Sequence, residues 1–393
     1  MIELGTNPLN GLSQARQPRG IITVNGIPIP FEKIEVNTNT YYVADTFSAE
    51  IPANYLPVGL EAVILSQQST ILVDIFAGFP SVGGLIDVIT SAGLPELFYG
   101  QVDTFDYEPS EGIIRFKGRD LSSRFIDNKT TEKFTNQTSS QIATTLANRR
   151  GLTPHVTATS TKAGKYYEID HARLTKEMSE WDLLTYLARE EDFVVFVKGQ
   201  TLYFIPAPNP SQLPYIIQYN PQILSGGSIL GSIGNIGSSL GGSPISNVVD
   251  LRLSRNLTLA NDVIVNVRSW NQKNGKAYTK TATATHTHRN VLKGAAQPTG
   301  AAQVYNYTFP NLTPEQALQK AQQLLKDISQ HEMRMSVTIP GDNILDKSQI
   351  IQLIGTGTVW DQVYYPDNIQ RTMSAKDGYS MSVTWTFCDN RIE

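Results

Sequence analysis

Four groups of residues in this 393-residue chain have types and spacings that chemistry uses. Gly237-Ser238-Ser239-Leu240-Gly241 fits G-x-S-x-G, the spacing that presents a serine nucleophile on a strand-to-helix turn. Here a Gly/Ser tract surrounds it instead, and composition accounts for the match. His331-Glu332-Met333-Arg334-Met335 begins like the zinc-binding H-E-x-x-H, but Met335 occupies the second ligand position. His286 and His288 share a strand face and would supply half a metal site, with no further ligand at a completing spacing. Glu177, Glu180, Asp182, Glu190, Glu191 and Asp192 include enough carboxylates for a glycosidase pair, whose members face each other about 5–10 Å apart. The same residues flank or cover one amphipathic helix, where solvated acid is ordinary. We assign no catalytic, cofactor-binding or metal residue, and expect no cofactor and no enzyme.

The bulk numbers agree. Apolar residues make up 40% and charged residues 17%, which suits a folded chain with Thr-, Ser- and Asn-rich surfaces. The net charge of −4 gives no basic footprint for nucleic acid. A single cysteine, Cys388, excludes an internal disulfide framework and a Cys-rich zinc site. The N-terminus has neither the basic region nor the apolar core of a signal peptide. No apolar run reaches the roughly 18–20 residues of a membrane span. A soluble chain that folds in the cytosol without membrane insertion is expected.

These residues must be held by elements of two textures. Residues 1–20 read as an N-terminal arm rich in Gly, Pro, Asn and Gln. Residues 21–118 alternate with period two and turn at Asn25-Gly26 and Glu111-Gly112, which predicts a first β module. Gly118 ends it. Residues 119–208 add two helices, one with a capping box at Thr138 to Gln141 and one capped by Ser179, and a hairpin turning at Lys198-Gly199-Gln200. Residues 209–247 form a connector rich in Pro, Gly and Ser. Residues 248–393 return to β sequence, with a hairpin turning at Asn274-Gly275 and a helix over 313–330. Phe98-Tyr99-Gly100 with Glu111-Gly112, and Tyr364-Tyr365-Pro366 with Asp377-Gly378, end the two β modules alike. Duplication and chance both account for that.

Several stretches together resemble the baseplate hub proteins of contractile-tailed phages, the late control protein D type, which are similar to the hub portion of type VI secretion spike proteins. They are Leu97 to Asp103, Gly118-Arg119-Asp120-Leu121-Ser122, Ile126-Asp127-Asn128, Trp181 to Arg189, Leu202-Tyr203-Phe204, Val267 to Asn271 and Gly355 to Thr358. The resemblance covers about residues 20–390. It implies a mainly β fold: two tube-like antiparallel β-barrel domains with an inserted α+β module. It implies a homotrimer whose six barrels match a hexameric tail tube on one side and a trimeric spike on the other. The spike would be a separate chain, since the sequence stops at Glu393. Tape measure and baseplate wedge proteins are further partners, and DNA would pass through the lumen without specific binding. The place of work would be the virion tail.

Three classes compete with a structural hub of a phage tail. One is a tail-associated cell-wall-degrading enzyme, one a hub of a related contractile injection system, and one a carbohydrate-binding adhesin. For the hub reading we expect a lumen of Thr, Ser, Asn, Gln and acidic side chains, because clustered Lys and Arg would hold phosphates. The strand Lys276 to Thr287 is one candidate for its wall. Within Ser225 to Ser243, Ile229, Ile233, Ile236 and Leu240 are spaced four, three, four, as in a coiled-coil seam. Three copies would there form an apolar plug; composition alone reads as a flexible linker, and an outside loop that binds a neighbour is the other alternative.

Overall fold

The computed structural model describes residues 18–78, 94–130, 132, 134, 136–160, 178–207, 214–219, 248–256, 263–271, 276–284, 303–310, 312–329, 333–358 and 360–387. The first β run contains β1 (Arg19–Val24), β2 (Ile27–Ile29), β3 (Lys33–Asn39), β4 (Thr46–Pro52), a short helix α1 (Ala62–Leu65), β5 (Leu72–Gly78), β6 (Glu96–Glu108) and β7 (Ile113–Asp120). Asn25 and Gly26 join β1 to β2 with φ of 49° and 82°, the left-handed pair that a tight hairpin needs. Alternate residues face inward: Ile34, Val36, Phe47, Ala49, Ile51, Ile114 and Phe116 form one core with Ile22, Val73 and Ile75. Each such large side chain contributes about 1.5–3 kcal/mol on burial.

The middle of the chain carries α2 (Ser123–Ile126), β8 (Lys129–Thr130), α3 (Ser139–Arg149), β9 (Thr153–Val156), β10 (Met178–Ser179), α4 (Glu180–Glu190), β11 (Phe193–Lys198) and β12 (Thr201–Pro206). Both longer helices begin with reciprocal capping boxes. Thr138 pairs with Gln141 and Ser179 with Asp182, satisfying N–H groups that a helix start leaves free. β11, β12 and β9 form a three-stranded sheet. The apolar stripes of α3 and α4 (Ile142, Leu146, Leu183, Leu184 and Leu187) pack with Val195, Leu202 and Phe204.

The remainder holds β13 (Tyr215–Gln218), β14 (Asp250–Arg255), β15 (Val263–Asn271), β16 (Lys276–Ala284), β17 (Gln303–Thr308), α5 (Pro314–Ser329), β18 (Met333–Pro340), β19 (Ile351–Ile354), β20 (Val363–Ser374) and β21 (Gly378–Phe387). Met333, Met335, Val337, Ile339, Ile369, Met381, Val383 and Trp385 build a further core. β16, β15 and β17 form a sheet of their own, and α5 lies on it through Ala317, Ala321 and Leu325.

The chain is mainly β with small helical parts, as expected. The two β runs are joined: β3 pairs antiparallel with β20 from Lys33 opposite Ser374 to Asn39 opposite Asn368. The resulting sheet runs β14-β18-β21-β20-β3-β4-β7-β6-β5-β1-β2. The expected tube-like barrels therefore do not close within one chain: among the described residues, the pairing runs from β14 to β2 without returning. β3 and β20 spend on each other the backbone edges that two separate closures would require.

Candidate functional site

The joined sheet is the largest sheet among the described residues. Because side chains alternate, one face carries the cores and the other faces away from them. Reading strand to strand through the registers gives the row Asp250, Thr338, Ser382, Gln370, Asn37, Thr46, Arg119 and Gln101. It crosses eight strands and both β runs, and every member is polar. At the seam, Gln370 Nε2 donates to Glu35 Oε1 at 2.7 Å and Asn368 Nδ2 to Asn39 Oδ1 at 2.8 Å.

Cations on this face are mostly neutralised. Arg119 donates to Asp103 through Nε at 2.6 Å and Nη2 at 3.0 Å. It also grips both oxygens of Asp127, at 3.1 and 3.0 Å. The bonds to Asp103, then those to Asp127, hold its guanidinium above the usual arginine range. Arg115 meets Glu108 at 2.6 Å and both Glu50 and Glu111 at 3.5 Å. The strand expected from Lys276, a candidate for a lumen wall, is not part of the joined sheet as far as Ala284. β16 pairs with β15 in the separate three-stranded sheet, and residues 285–287 lie outside the described residues.

A second cluster ties three parts of the chain together. Lys347, in the connection between β18 and β19, donates to Asp45 Oδ2 at 2.8 Å. It also lies 5.0 Å from the ring centre of Phe196 in β11. Asp120, at the end of β7, accepts from Asp45 N at 3.3 Å and from both the backbone and the hydroxyl of Ser122. Burial pushes the Asp45 carboxyl up against the pull of Lys347. Burial, reinforced by the charge of Asp45, pushes Asp120 up to about 7. Nearby, Lys198 Nζ reaches Asp346 at 2.5 Å. Tyr42 bonds through its hydroxyl to Phe193 O at 2.7 Å, and Trp181 Nε1 donates to Tyr42 O at 2.8 Å. The buried Arg371 donates to the Asp342 and Leu345 carbonyls, fixing the connection that carries Lys347. This arrangement clamps elements together.

The carboxylates weighed from the sequence are dispersed into structural roles. Glu180 is 1% exposed and takes two bonds from Arg150, at 2.7 and 2.8 Å, and one from Arg149 at 3.5 Å. Asp182 serves the cap of α4. Glu190 meets Lys320 at 3.4 Å, and Glu191 accepts from Ser139 at 2.8 Å. Asp192 follows that helix at a φ of 56°. Met335 is buried in β18. Glu177, Ser239, His286, His288, His331, Glu332, the Asn274-Gly275 turn and the whole of Ser225 to Ser243 lie outside the described residues. Among the described residues no group of three or more His, Cys, Asp or Glu could hold a metal ion. No helix there is long and apolar enough to cross a membrane. Sequence reading singled out Gly118 to Ser122, which includes Asp120, but gave no sign of Lys347.

No protein family and no curated protein matches the sequence. Solved structures do match the fold. The tail protein from Neisseria meningitidis MC58 is similar over 94% of this chain and 97% of its own, with a TM-score of 0.62 and 12% identity. The 43 kDa tail protein of prophage MuSo2 from Shewanella oneidensis is similar over 94% and 98%, at 0.59 and 13% identity. A component of the Escherichia coli type VI secretion system, itself similar to bacteriophage T4 tail proteins, covers 94% and 78% at 0.50 and 8% identity. Over 94% of its length the chain is similar in fold to these phage tail proteins, and it is mainly β, as the hub resemblance implies.

Proposed function

We propose that the chain is a structural, non-enzymatic hub of a phage tail baseplate. Three copies would form a ring, each contributing two β modules, residues 21–118 and 248–393, to a pseudo-sixfold wall. The ring would join a hexameric tail tube to a separate trimeric spike and let DNA pass. The observation that carries this reading is the unbroken polar row from Asp250 to Gln101 on a sheet whose two ends, β14 and β2, have no further strand partner among the described residues. An open sheet with a polar face and an apolar back is completed when the β14 edge of one copy meets the β2 edge of the next. Exposed apolar side chains stand near both ends: Ile27 is 41% and Val249 73% exposed. The mixed, largely paired charges of the face suit a lumen through which phosphates slide.

The work of such a hub is symmetry matching and release, and no residue performs chemistry. Cysteines at Ile27 and Val249, in a Cys388→Ser background, test the ring. Oxidation should link copies into a ladder that stops at three. No cross-linking in purified particles, or a ladder running far beyond three, would count against the closed ring.

A further inference from the structure

The small sheet of β15, β16 and β17 has one face packed on α5 and one face that no described residue covers. On the open side Arg268 and Trp270 stand two residues apart on the central strand, both exposed, Trp270 at 55%. Arg268 lies between Thr279 and Thr308 in register. One row on, Asn266 Nδ2 donates to Asn306 Oδ1 at 3.0 Å, and Thr281 Oγ1 donates to Asn266 Oδ1 at 2.7 Å. The amides and hydroxyls are thus preset across three strands, with donor and acceptor capacity left over. Among the described residues Arg268 has no ion-pair partner, and it is the one charged side chain of this face.

From this geometry we infer that the open face binds a linear anionic polysaccharide. An exposed indole offers a flat apolar platform for the C–H face of a sugar ring and keeps a polar edge. A guanidinium two residues away reads a carboxylate bidentately. Adjacent strands are about 4.8 Å apart, close to the length of one sugar ring, so successive rings crossing the sheet meet successive strands. Trp270 with Ala277 at one end and Val304 with the half-buried Ile264 at the other are the apolar members of this face; the described side chains between them are hydroxyl, amide and guanidinium. That suits a hydroxyl-rich chain better than the apolar centre of a protein interface. A partner carrying carboxylates complements the single unpaired positive charge. The site is independent of the hub reading.

Affinity electrophoresis of the full chain through gels containing alginate, a linear polyuronate, tests this, with dextran as the neutral polymer. Alginate should retard the wild-type chain and dextran should not. Trp270→Ala and Arg268→Gln should each weaken retardation about tenfold, with circular dichroism unchanged because both side chains are exposed. Equal retardation of wild type and variants, equal retardation by dextran, or none by alginate, hyaluronan and polygalacturonate would overturn the assignment. So would a Trp270→Ala variant that loses co-assembly with other tail proteins while alginate fails to bind wild type, since the face would then be a protein interface.

Discussion

Lys347 Nζ lies 2.8 Å from Asp45 Oδ2, although 302 positions separate the two residues in the chain. Both are largely buried, Lys347 at 4% exposure, and Asp120 stands just behind. Removing one partner of such a pair leaves a charge with no compensation, which costs about 3–5 kcal/mol, whereas removing both costs much less. Lys347→Met should therefore lower the urea midpoint strongly, and Lys347→Met with Asp45→Asn should recover much of that loss. Additive effects of the two substitutions would show that the pair does not act as a unit.

The same cluster makes stability depend on pH. Burial, then the charge of Asp45, raises Asp120 to about 7, whereas an unfolded aspartate releases its proton near its ordinary value of about 3.9. Between those values the folded chain holds the extra proton. The contribution of Asp120 to stability is thus fully present below about pH 4 and is lost as pH rises toward about 7. Asp120→Asn should flatten that fall when unfolding is measured at pH 5 and at pH 7.5. An unchanged difference between the two pH values would place the titration elsewhere.

Gly118 shows why a strand glycine can be obligatory without unusual backbone angles. A Cβ there would press into the carbonyl oxygen of Gln101 and meet Phe47. The register between β6 and β7 shifts close by, between Val102 and Thr104. Gly118→Ala should cost about 1–3 kcal/mol through overpacking, read as a lower melting temperature. Gly26→Ala offers a comparison, since nothing lies within 4 Å of its Cβ position and only its φ of 82° opposes a side chain. Equal melting temperatures for wild type and Gly118→Ala would refute the contact.

Neutralised arginines on the polar face predict weak binding of nucleic acid. Asp103→Asn with Asp127→Asn should free Arg119, strengthen binding to a short DNA duplex and steepen the dependence of log K on log salt by about 1. Fluorescence anisotropy across a salt series measures both. No change in slope would mean that Arg119 does not face the duplex.

Local features of this fold were legible because they depend on neighbours in sequence. The Asn25-Gly26 hairpin, the Thr138 capping box, the Ser179 cap, the hairpin at Gly199 and the helix near 313–330 all arise from turn and cap chemistry spanning a few residues. The seam between β3 and β20 was not legible. Period-two alternation in Lys33 to Asn39 states that a strand exists and which residues face inward, but not which edge partner it takes. The hairpin that pairs Val263 to Asn271 with the strand from Lys276 was legible, but alternation did not show that these strands belong to a sheet separate from the joined one. The Lys347 junction stayed hidden because a lone lysine in a loop carries no local signal of burial. The carboxylates around α4 gave a strong compositional signal, yet Asp182 serves a cap, Glu180 and Glu190 sit in ion pairs and Glu191 accepts from Ser139.

The central claim is a closed ring of three copies built from open sheets. Mass measurement by light scattering, on the purified full chain alone and with its spike protein, tests it most directly. The account predicts a species of three times the 43.4 kDa chain mass, with spike subunits in equal number when they are present. A mass of one chain under both conditions would contradict it.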